Sequence, residues 1–378
     1  MSCEATVENT ENPGDYEFDL PAGLVSQEPP EARGGRRSDA RLAVLRRGTD
    51  QVEHRGFHEI AEYFKPLDVL VVNNARVVPT LLHGEDQDGR VVAVSIHSPN
   101  EDGTWHCLVA PEAVCRPGAR FVLGPGRQVT GRLLAEADPG VWRIELDPAD
   151  GDTLYRLAEP IYPGYLKQAP ADPEYYQTTY ASRPGAVLFP SAGRHFTPAV
   201  LDELRARGVA VAEVTLLLAA RSHHFVRQLF QQQVAAGGVG DTEAEDRVDR
   251  ATRVKGFDFP GAERYEVTAG TAETINERRS RGGRIMVCGT SALRTLESVT
   301  GEDGRVPAAT GFTRLRIVPG HRFRACDGFL TNLHRPKSSE LLLTSAFTGR
   351  APLLEVYRRE LIPREYRFHE FGDSMLIV

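Results

Sequence analysis

The stretch FLTNLHRPKSSELLLTSAF, residues 329–347, contains the pattern that decides the fold class. An apolar, strand-like segment leads into a polar loop, and the loop leads into a segment with apolar residues at helical spacing. Ser338 or Ser339 suits the N-cap of this helix, and Gly349 suits its end. The stretch therefore predicts a strand, a loop and a helix, which is the repeating unit of an α/β protein.

The polar loop within this stretch carries Asn332, His334, Arg335 and Lys337. A cation and a histidine beside a helix N-terminus can hold an anionic or strongly dipolar ligand. A solvated basic loop would give the same pattern, so the stretch alone leaves both interpretations open.

The composition is that of an ordinary globular protein of 378 residues, with 41% hydrophobic and 26% charged residues. The formal net charge of −7 excludes a global cationic field for nucleic acid, so contact with RNA would need a local patch. No apolar run reaches the ~18 residues of a membrane helix. The five cysteines lack CxxC spacing, which argues against a zinc site and favours a reducing, cytoplasmic location.

Short strand patterns without intervening helices fill the region from Pro79 to Pro160. They are separated by Gly, Pro, Asp and Asn and lie at residues 91–96, 105–109, 120–123, 129–134 and 141–146. This spacing predicts a small antiparallel β-barrel at residues 79–159. We expect it to be inserted into a discontinuous α/β host domain of residues 16–78 and 160–378, preceded by a disordered tail at residues 1–15.

The host segments alternate between strand and helix patterns. Thr197 is a predicted N-cap with Pro198 as the first helical residue. Further helices are expected at 272–281 and 289–298, and strands at 69–74, 209–218, 284–288, 314–318 and 323–329. Residues 231–257, with a glutamine run and paired glycines, are expected to form a mobile loop or weak helix.

Four turns rich in hydrogen-bonding groups are candidates for a functional site. They lie at residues 191–195, 289–294, 332–339 and 371–374. The turn at Gly289 would expose backbone N–H groups at a helix N-terminus, which suits a carboxylate or a phosphate. It is too short for a Walker loop. His195 could transfer protons or could be held by loop backbone, and the adjacent His223 and His224 would point apart on a strand, so no metal site is expected.

Six motifs occur in one order along the chain: NNARVVP from Asn73, YQTTYA from Tyr176, SAGRHFT from Ser191, GTSALRTLES from Gly289, TNLHRPKS from Thr331, and the segment 366–377. In this order the chain resembles the S-adenosylmethionine:tRNA ribosyltransferase-isomerase family of queuosine biosynthesis, from about Phe18 onward. The resemblance also implies an α/β host with an inserted β-barrel.

The resemblance implies a reaction in which S-adenosylmethionine donates its ribosyl group. A base removes a C5′ hydrogen that the sulfonium acidifies, and the aminomethyl group of a 7-deazaguanine in the tRNA anticodon loop attacks C1′. Adenine and methionine leave, and the ribose rearranges to an epoxycyclopentane. This chemistry needs a positioned base and a site that excludes water, and it needs no metal.

Matching the motifs position by position gives the candidate residues. We expect His195 or His334 to transfer protons, Lys337 and Arg294 to hold the donor carboxylate, and Asp373 and Asn332 to hold its ribose or adenine. The wider set of candidate catalytic and donor-binding residues is His195, His334, Lys337, Asn73, Arg76, Gly193, Thr215, Gly289, Thr290, Ser291, Arg294, Asn332, Ser338 and Asp373.

The chain also departs from the family pattern. Residues 217–225 read LLAARSHHF where the family has a histidine and a glycine-rich turn, and the family's paired-histidine stretch has no match at residues 256–266. Arg194 and Arg335 replace apolar residues, and Asn74 replaces an aspartate. These departures leave two alternatives open: a paralogue that binds S-adenosylmethionine but modifies a small molecule, and a non-catalytic nucleotide- or RNA-binding protein. A monomer or weak homo-oligomer without membrane attachment is expected.

Overall fold

The computed structural model describes residues 11–47, 49, 51–138, 140–219, 253–254, 257–258 and 261–378. Its strands are β1 (Arg41–Leu45), β2 (Val52–Gly56), β3 (Val69–Asn73), β4 (Ala75–Val77), β5 (Leu81–Asp86), β6 (Val91–Pro99), β7 (Trp105–Ala110), β8 (Arg120–Leu123), β9 (Val129–Asp138), β10 (Val141–Asp147), β11 (Arg183–Ala186), β12 (Ala210–Leu216), β13 (Arg253–Val254), β14 (Phe257–Asp258), β15 (Glu263–Val267), β16 (Ile285–Cys288), β17 (Ala309–Thr313), β18 (Gly328–Asn332) and β19 (Ser374–Ile377).

The α-helices of the described chain are α1 (Gly151–Leu157), α2 (Pro198–Ala206), α3 (Ala269–Ser280), α4 (Gly289–Val299), α5 (Ser339–Thr348) and α6 (Arg350–Val356). A π-helical turn continues α6 over Tyr357–Leu361. Short 3₁₀ helices lie at Pro13–Tyr16, Ala22–Leu24, Pro30–Arg33, Arg37–Asp39, Phe57–Tyr63, Glu112–Val114, Pro173–Tyr176 and Ser191–Gly193.

The host domain is built on a nine-stranded sheet with the order β17-β15-β12-β3-β16-β18-β19-β1-β2. The central strands β12, β3, β16 and β18 run parallel to one another. β19 is antiparallel to β18 and parallel to β1, while β2, β15 and β17 add antiparallel edges. The carboxyl ends of the four central strands therefore meet at one edge of the sheet, and the turn preceding β19 reaches the same edge.

Both faces of this sheet are covered, and β3 shows how. Val69 and Val71 pack into one core cluster with α3, α4 and α5. Leu70 and Val72 pack into a second cluster with α2 and the 3₁₀ helix Phe57–Tyr63. Successive side chains of a strand point to opposite faces, so a strand covered on both sides has a continuous apolar run in place of an alternating one.

The inserted domain is a closed barrel with the strand order β10-β7-β6-β5-β8-β9. Its core includes Leu82, Trp105, Phe121 and Ile144 and is separate from the two host clusters. The chain enters and leaves the barrel at one point: Leu81 N–H donates to the Glu159 carbonyl (3.0 Å), and Glu159 N–H donates back to the Leu81 carbonyl (2.8 Å).

The predicted fold class, an α/β host with an inserted antiparallel barrel, is confirmed. The structure adds strand β5, which the sequence pattern did not predict. Thr197 caps α2 and Ser338 caps α5, each accepting a hydrogen bond from a backbone N–H three residues on, as predicted.

The predicted strand at 314–318 is wrong, and the one predicted at 323–329 begins too early, because β18 starts at Gly328. Residues 314–318 are irregular and the strand lies earlier, at β17, because the Leu315 carbonyl accepts from Arg294 Nε (3.0 Å) in place of a strand neighbour. Residues 323–327 are also irregular, since the Glu297 carboxylate accepts the N–H groups of Arg324 (3.1 Å) and Ala325 (3.0 Å).

Residues 11–15 of the tail predicted to be disordered lie within the described part of the chain, and they are ordered against the host domain. Pro13–Tyr16 form a 3₁₀ turn that places Tyr16 in the host core, with its hydroxyl 3.1 Å from Ser345 Oγ. Most of the segment 231–257, predicted to be a mobile loop or weak helix, lies outside the described residues. The residues His223 and His224 lie outside them as well.

Candidate functional site

A cavity of about 450 Å³ opens at the edge of the host sheet where the parallel strands end. The ends of three of the four central strands line it: Leu218 follows β12, residues 289–291 follow β16, and residues 332–335 begin with the last residue of β18. In open α/β sheets, ligands bind at this edge. Other lining side chains come from the segments 163–165, 188–192 and 369–370.

The N-terminus of α4 faces this cavity through Gly289, Thr290 and Ser291. Gly289 has φ of +87°, a conformation that favours glycine, and no side chain caps the helix. The first backbone N–H groups of a helix have no intrahelical partner and carry partial positive charge. This turn can therefore bind a carboxylate or another oxyanion.

Asn332, at the end of β18, presents a donor to the same cavity. Its Oδ1 accepts a hydrogen bond from Ser191 Oγ (2.9 Å), which fixes the amide. Its Nδ2 is buried and has no hydrogen-bond partner among the described residues. Since an unsatisfied buried donor costs free energy, the arrangement suits a ligand that supplies an acceptor, such as a ribose hydroxyl.

His334 lines the cavity two residues further on. Its Nε2 lies 2.8 Å from Thr331 Oγ1, and its backbone N–H donates to the Tyr357 hydroxyl (3.2 Å). Burial lowers the pKa of His334 to about 4. The imidazole is therefore neutral near pH 7 and can accept a proton.

Glu370 is a cavity residue that the sequence interpretation missed. Its Oε2 accepts a hydrogen bond from the Tyr165 hydroxyl (3.1 Å), and the Tyr165 ring lies 4.4 Å from the ring of His369. Burial raises the pKa of Glu370 to about 7. The only signal in the sequence was an acidic residue beside the polar turn at residues 371–374.

A smaller pocket of about 130 Å³ adjoins the main cavity and shares Thr290, Ser291 and Arg335 with it. Arg294 lines this pocket, forms a buried ion pair with Glu263, and leaves its Nη2 without a partner among the described residues. A buried donor of this kind, next to a helix N-terminus, suits an anion.

Two of the predicted catalytic residues lie elsewhere. His195 is completely buried, with Nδ1 3.0 Å from the Arg37 carbonyl and its ring 5.1 Å from Phe57. Burial, with a further contribution from Arg194, lowers its pKa to about 3. Lys337 is exposed and its Nζ pairs with Glu17. Neither side chain lines the cavity or the adjoining pocket.

Several predicted donor-binding residues support the site from behind. Asn73 Nδ2 donates to Ser291 Oγ (3.1 Å) and to the Leu216 carbonyl (3.0 Å), which ties β3 to the α4 turn and to β12. Gly193 has no room for a side chain, because a Cβ atom there would lie 1.7 Å from the Tyr180 hydroxyl oxygen.

The remaining predicted residues make other contacts. Asp373 accepts hydrogen bonds from the backbone N–H groups of Arg41 (2.8 Å) and Arg367 (2.8 Å). Thr215 Oγ1 donates to Asn74 Oδ1 (2.7 Å). Arg76 and Ser338 complete the set: Arg76 pairs with Glu174 at the surface, and Ser338 lines the cavity while capping α5.

Within the described residues, no group of three or more His, Cys, Asp and Glu side chains is arranged to hold a metal ion.

None of the described helices combines the length and the hydropathy that crossing a membrane would require.

Comparison with known proteins matches residues 14–236 and 246–377 to the family described as Queuosine biosynthesis protein. The chain is 36% identical over 368 residues to the S-adenosylmethionine:tRNA ribosyltransferase-isomerase of Moorella thermoacetica, a match that covers 96% of this chain and 99% of the relative. It is also 36% identical to the enzyme of the same name from Symbiobacterium thermophilum, with the same two coverages.

Among solved structures, the chain is similar to the S-adenosylmethionine tRNA ribosyltransferase of Thermotoga maritima. The identity is 29%, the TM-score is 0.51, and the match covers 96% of this chain and all of that one.

Proposed function

The chain belongs to the family of queuosine biosynthesis proteins, and we propose that it catalyses the reaction for which its relatives are named, the transfer and isomerisation of the ribosyl group of S-adenosylmethionine onto tRNA. One observation carries this proposal: turns that resemble the family motifs line a single cavity at the carboxyl edge of the sheet. Its volume of about 450 Å³ lies in the range of sites for ligands of this size.

The cavity and the adjoining pocket together supply the groups that the donor requires. The α4 N-terminus and Arg294 can hold the methionine carboxylate, because both offer donors and positive charge. Asn332 Nδ2 can donate to a ribose or adenine acceptor. With these ends fixed, the sulfonium and C5′ would lie over the middle of the cavity floor, between β16 and β18.

His334 is the base that we assign to the C5′ proton. It lines the cavity beside the α4 turn and Asn332, it is neutral at physiological pH, and Thr331 fixes its orientation. A neutral imidazole can take the proton that the sulfonium acidifies. Apolar lining from Phe189, Ala192 and Leu218 limits water near the carbanion that forms.

A small-molecule acceptor is the second candidate. The altered residues 217–225 favour it, because the family has a histidine and a glycine-rich turn there. The donor half of the reaction would be the same in both cases.

One incubation separates these functions. The protein is mixed with S-adenosylmethionine alone, with an anticodon stem-loop carrying the 7-aminomethyl-7-deazaguanine, or with the free 7-aminomethyl-7-deazaguanine base, and the products are identified by mass spectrometry. We expect adenine and methionine to appear with the RNA, along with a ribosyl-modified base. Release with the free deazaguanine base alone would favour the small-molecule acceptor. Donor binding without any release would overturn the enzymatic assignment.

A further inference from the structure

Glu370 and Tyr165 form a hydrogen-bonded polar pair in the lining of the cavity, which also includes the apolar residues Phe189 and Pro163. We propose that this pair is the amine subsite: Glu370 binds the cationic amine of the acceptor and takes its proton before the nitrogen attacks the ribose. The inference rests on the proposed ribosyl transfer and names the group that recognises the nucleophile.

The position of the pair supports this role. Glu370 and His334 both line the cavity, but they come from different strand connections, the turn before β19 and the turn after β18. The α4 N-terminus in the cavity and Arg294 in the adjoining pocket offer the hydrogen-bond donors that we assign to S-adenosylmethionine. A carboxylate attracts an ammonium group, so Glu370 can bind the acceptor amine electrostatically.

The surroundings of Glu370 suit a group that must both bind a cation and accept a proton. Burial is the largest influence and raises the pKa of Glu370 to about 7. The hydroxyls of Tyr176 and Tyr165 stabilise its charged form and lower its pKa, while Glu340, which also lines the cavity, raises the pKa by charge repulsion. The cavity is also lined by the titratable or charged side chains of His334, Arg335 and His369.

The proton step balances without another reactant. A primary alkylammonium has a pKa of about 10 in water, so the acceptor arrives protonated and its nitrogen has no free electron pair. One N–H bond breaks, its proton moves to Glu370 Oε, and its electron pair stays on nitrogen. That pair then forms the bond to C1′, while the bond from C1′ to adenine breaks and its electrons leave with adenine. The nitrogen then releases its second proton, and the adenine anion takes up one proton, so the charges balance.

The first test compares Glu370→Gln with the wild type and with Glu273→Gln, an exposed carboxyl on α3 outside the cavity. Two anticodon stem-loops serve as probes, one with the 7-aminomethyl-7-deazaguanine and one with its 7-methyl analogue. Hydrogen bonds to charged groups are worth enough for the wild type and Glu273→Gln to bind the amine probe about tenfold to hundredfold more tightly. Glu370→Gln should lose that preference while its affinity for S-adenosylmethionine is unchanged.

The second test follows kcat/KM for the acceptor against pH. The wild type should lose activity below about pH 7 as Glu370 becomes protonated. Glu370→Gln should lack this acidic limb. Tyr165→Phe removes a hydrogen bond that favours the carboxylate, so it should move the limb to higher pH.

The outcomes keep this inference separate from the proposed function. If the wild type releases adenine neither with the amine-bearing stem-loop nor with the free 7-aminomethyl-7-deazaguanine base, the ribosyl transfer itself is overturned. If the wild type is active and Glu370→Gln keeps both the amine preference and the acidic limb, the amine subsite alone is overturned. A limb unmoved in Tyr165→Phe would overturn the role of the tyrosine.

Discussion

Two polar turns look alike in the sequence and end in different environments. The turn at residues 191–197 and the loop at residues 331–338 each carry a histidine shortly before the N-cap of a helix. They meet in the structure, where Ser191 Oγ donates to Asn332 Oδ1 (2.9 Å). Beyond this bond the two turns separate. His334 lines the cavity, while His195 is buried beside Phe57, in the core cluster that contains α2.

The difference comes from the path of the chain after the shared hydrogen bond. After Ser191 the chain forms a 3₁₀ turn that directs His195 against Phe57 and the Arg37 carbonyl, in the layer that contains α2. The loop after Asn332 stays at the carboxyl edge of the sheet until Ser338 caps α5. Of the two histidines, only His334, which follows the end of β18, lines the cavity.

The largest expected effect is on turnover. His334→Gln should lower the rate of adenine release by about 10²–10⁴-fold, the usual range for removing a general base. His195→Gln should keep the wild-type rate within a few fold at a temperature where it is folded. Single-turnover assays with saturating donor measure both. Equal losses in the two variants would contradict the distinction between the turns.

The next effect is on stability against pH. The pKa of His195 is about 3 in the folded protein and about 6.5 when unfolded, so the unfolded chain binds more protons between these values. The contribution of neutral His195 to the free energy of unfolding is therefore complete above about pH 6.5 and is lost as the pH falls toward 3. The free energy of unfolding should fall by up to about 1.4 kcal/mol per pH unit from this group.

Urea titrations between pH 7 and pH 5 test this slope. The variant His195→Gln should show a shallower slope than the wild type, since its side chain does not titrate. An identical slope in the two proteins would exclude His195 as its source.

A smaller effect is expected where the two turns meet. Ser191→Ala removes the hydrogen bond to Asn332 Oδ1, a loss of about 0.5–1.5 kcal/mol. Because Asn332 then loses its fixed orientation, the affinity for S-adenosylmethionine should fall by a few fold. Calorimetric titration with S-adenosylmethionine measures this affinity, and Ser280→Ala, at an exposed serine on α3, serves as the control. An unchanged affinity would mean that the Asn332 amide does not contact the donor.

The smallest effect is expected at Lys337. Its ion pair with Glu17 is exposed, and such pairs contribute about 0–1 kcal/mol. Lys337→Met should therefore leave both stability and donor affinity close to those of the wild type. A large loss of donor affinity would show that the side chain turns toward the cavity when the ligand binds.

The sequence predicted those parts of the fold that local chemistry determines. Thr197, Pro198 and Ser338 are helix-start signals that act within a few residues, and they lie where expected. Strand β5 was missed because polar residues such as Glu85 interrupt its apolar pattern; the strand forms because β6 and β8 pair with it. Residues 314–318, and the first part of the strand predicted at 323–329, are irregular because their backbone groups bond to the side chains of Arg294 and Glu297.

The candidate site was also predicted only in part, because some of its contacts join residues that are far apart in the sequence. The turn at residues 289–291 and the loop with Asn332 and His334 come directly after buried strands, so their place at the carboxyl edge results from topology. The partner of Glu370 is Tyr165, which lies 205 residues away in the chain, and no local pattern connects them. Residues such as His195, which satisfy backbone groups inside the protein, resemble catalytic residues until their partners are known.

The paired backbone hydrogen bonds between Leu81 and Glu159 have a consequence for the modularity of this architecture. The two chain segments that connect the host domain to the barrel lie side by side, so a short linker could join them in place of the barrel domain. Excision at this junction should leave the nine-stranded host sheet intact and uncover Ile161 and Val187, which pack against barrel residues. The same junction is a natural place for grafting a different accessory module in protein engineering.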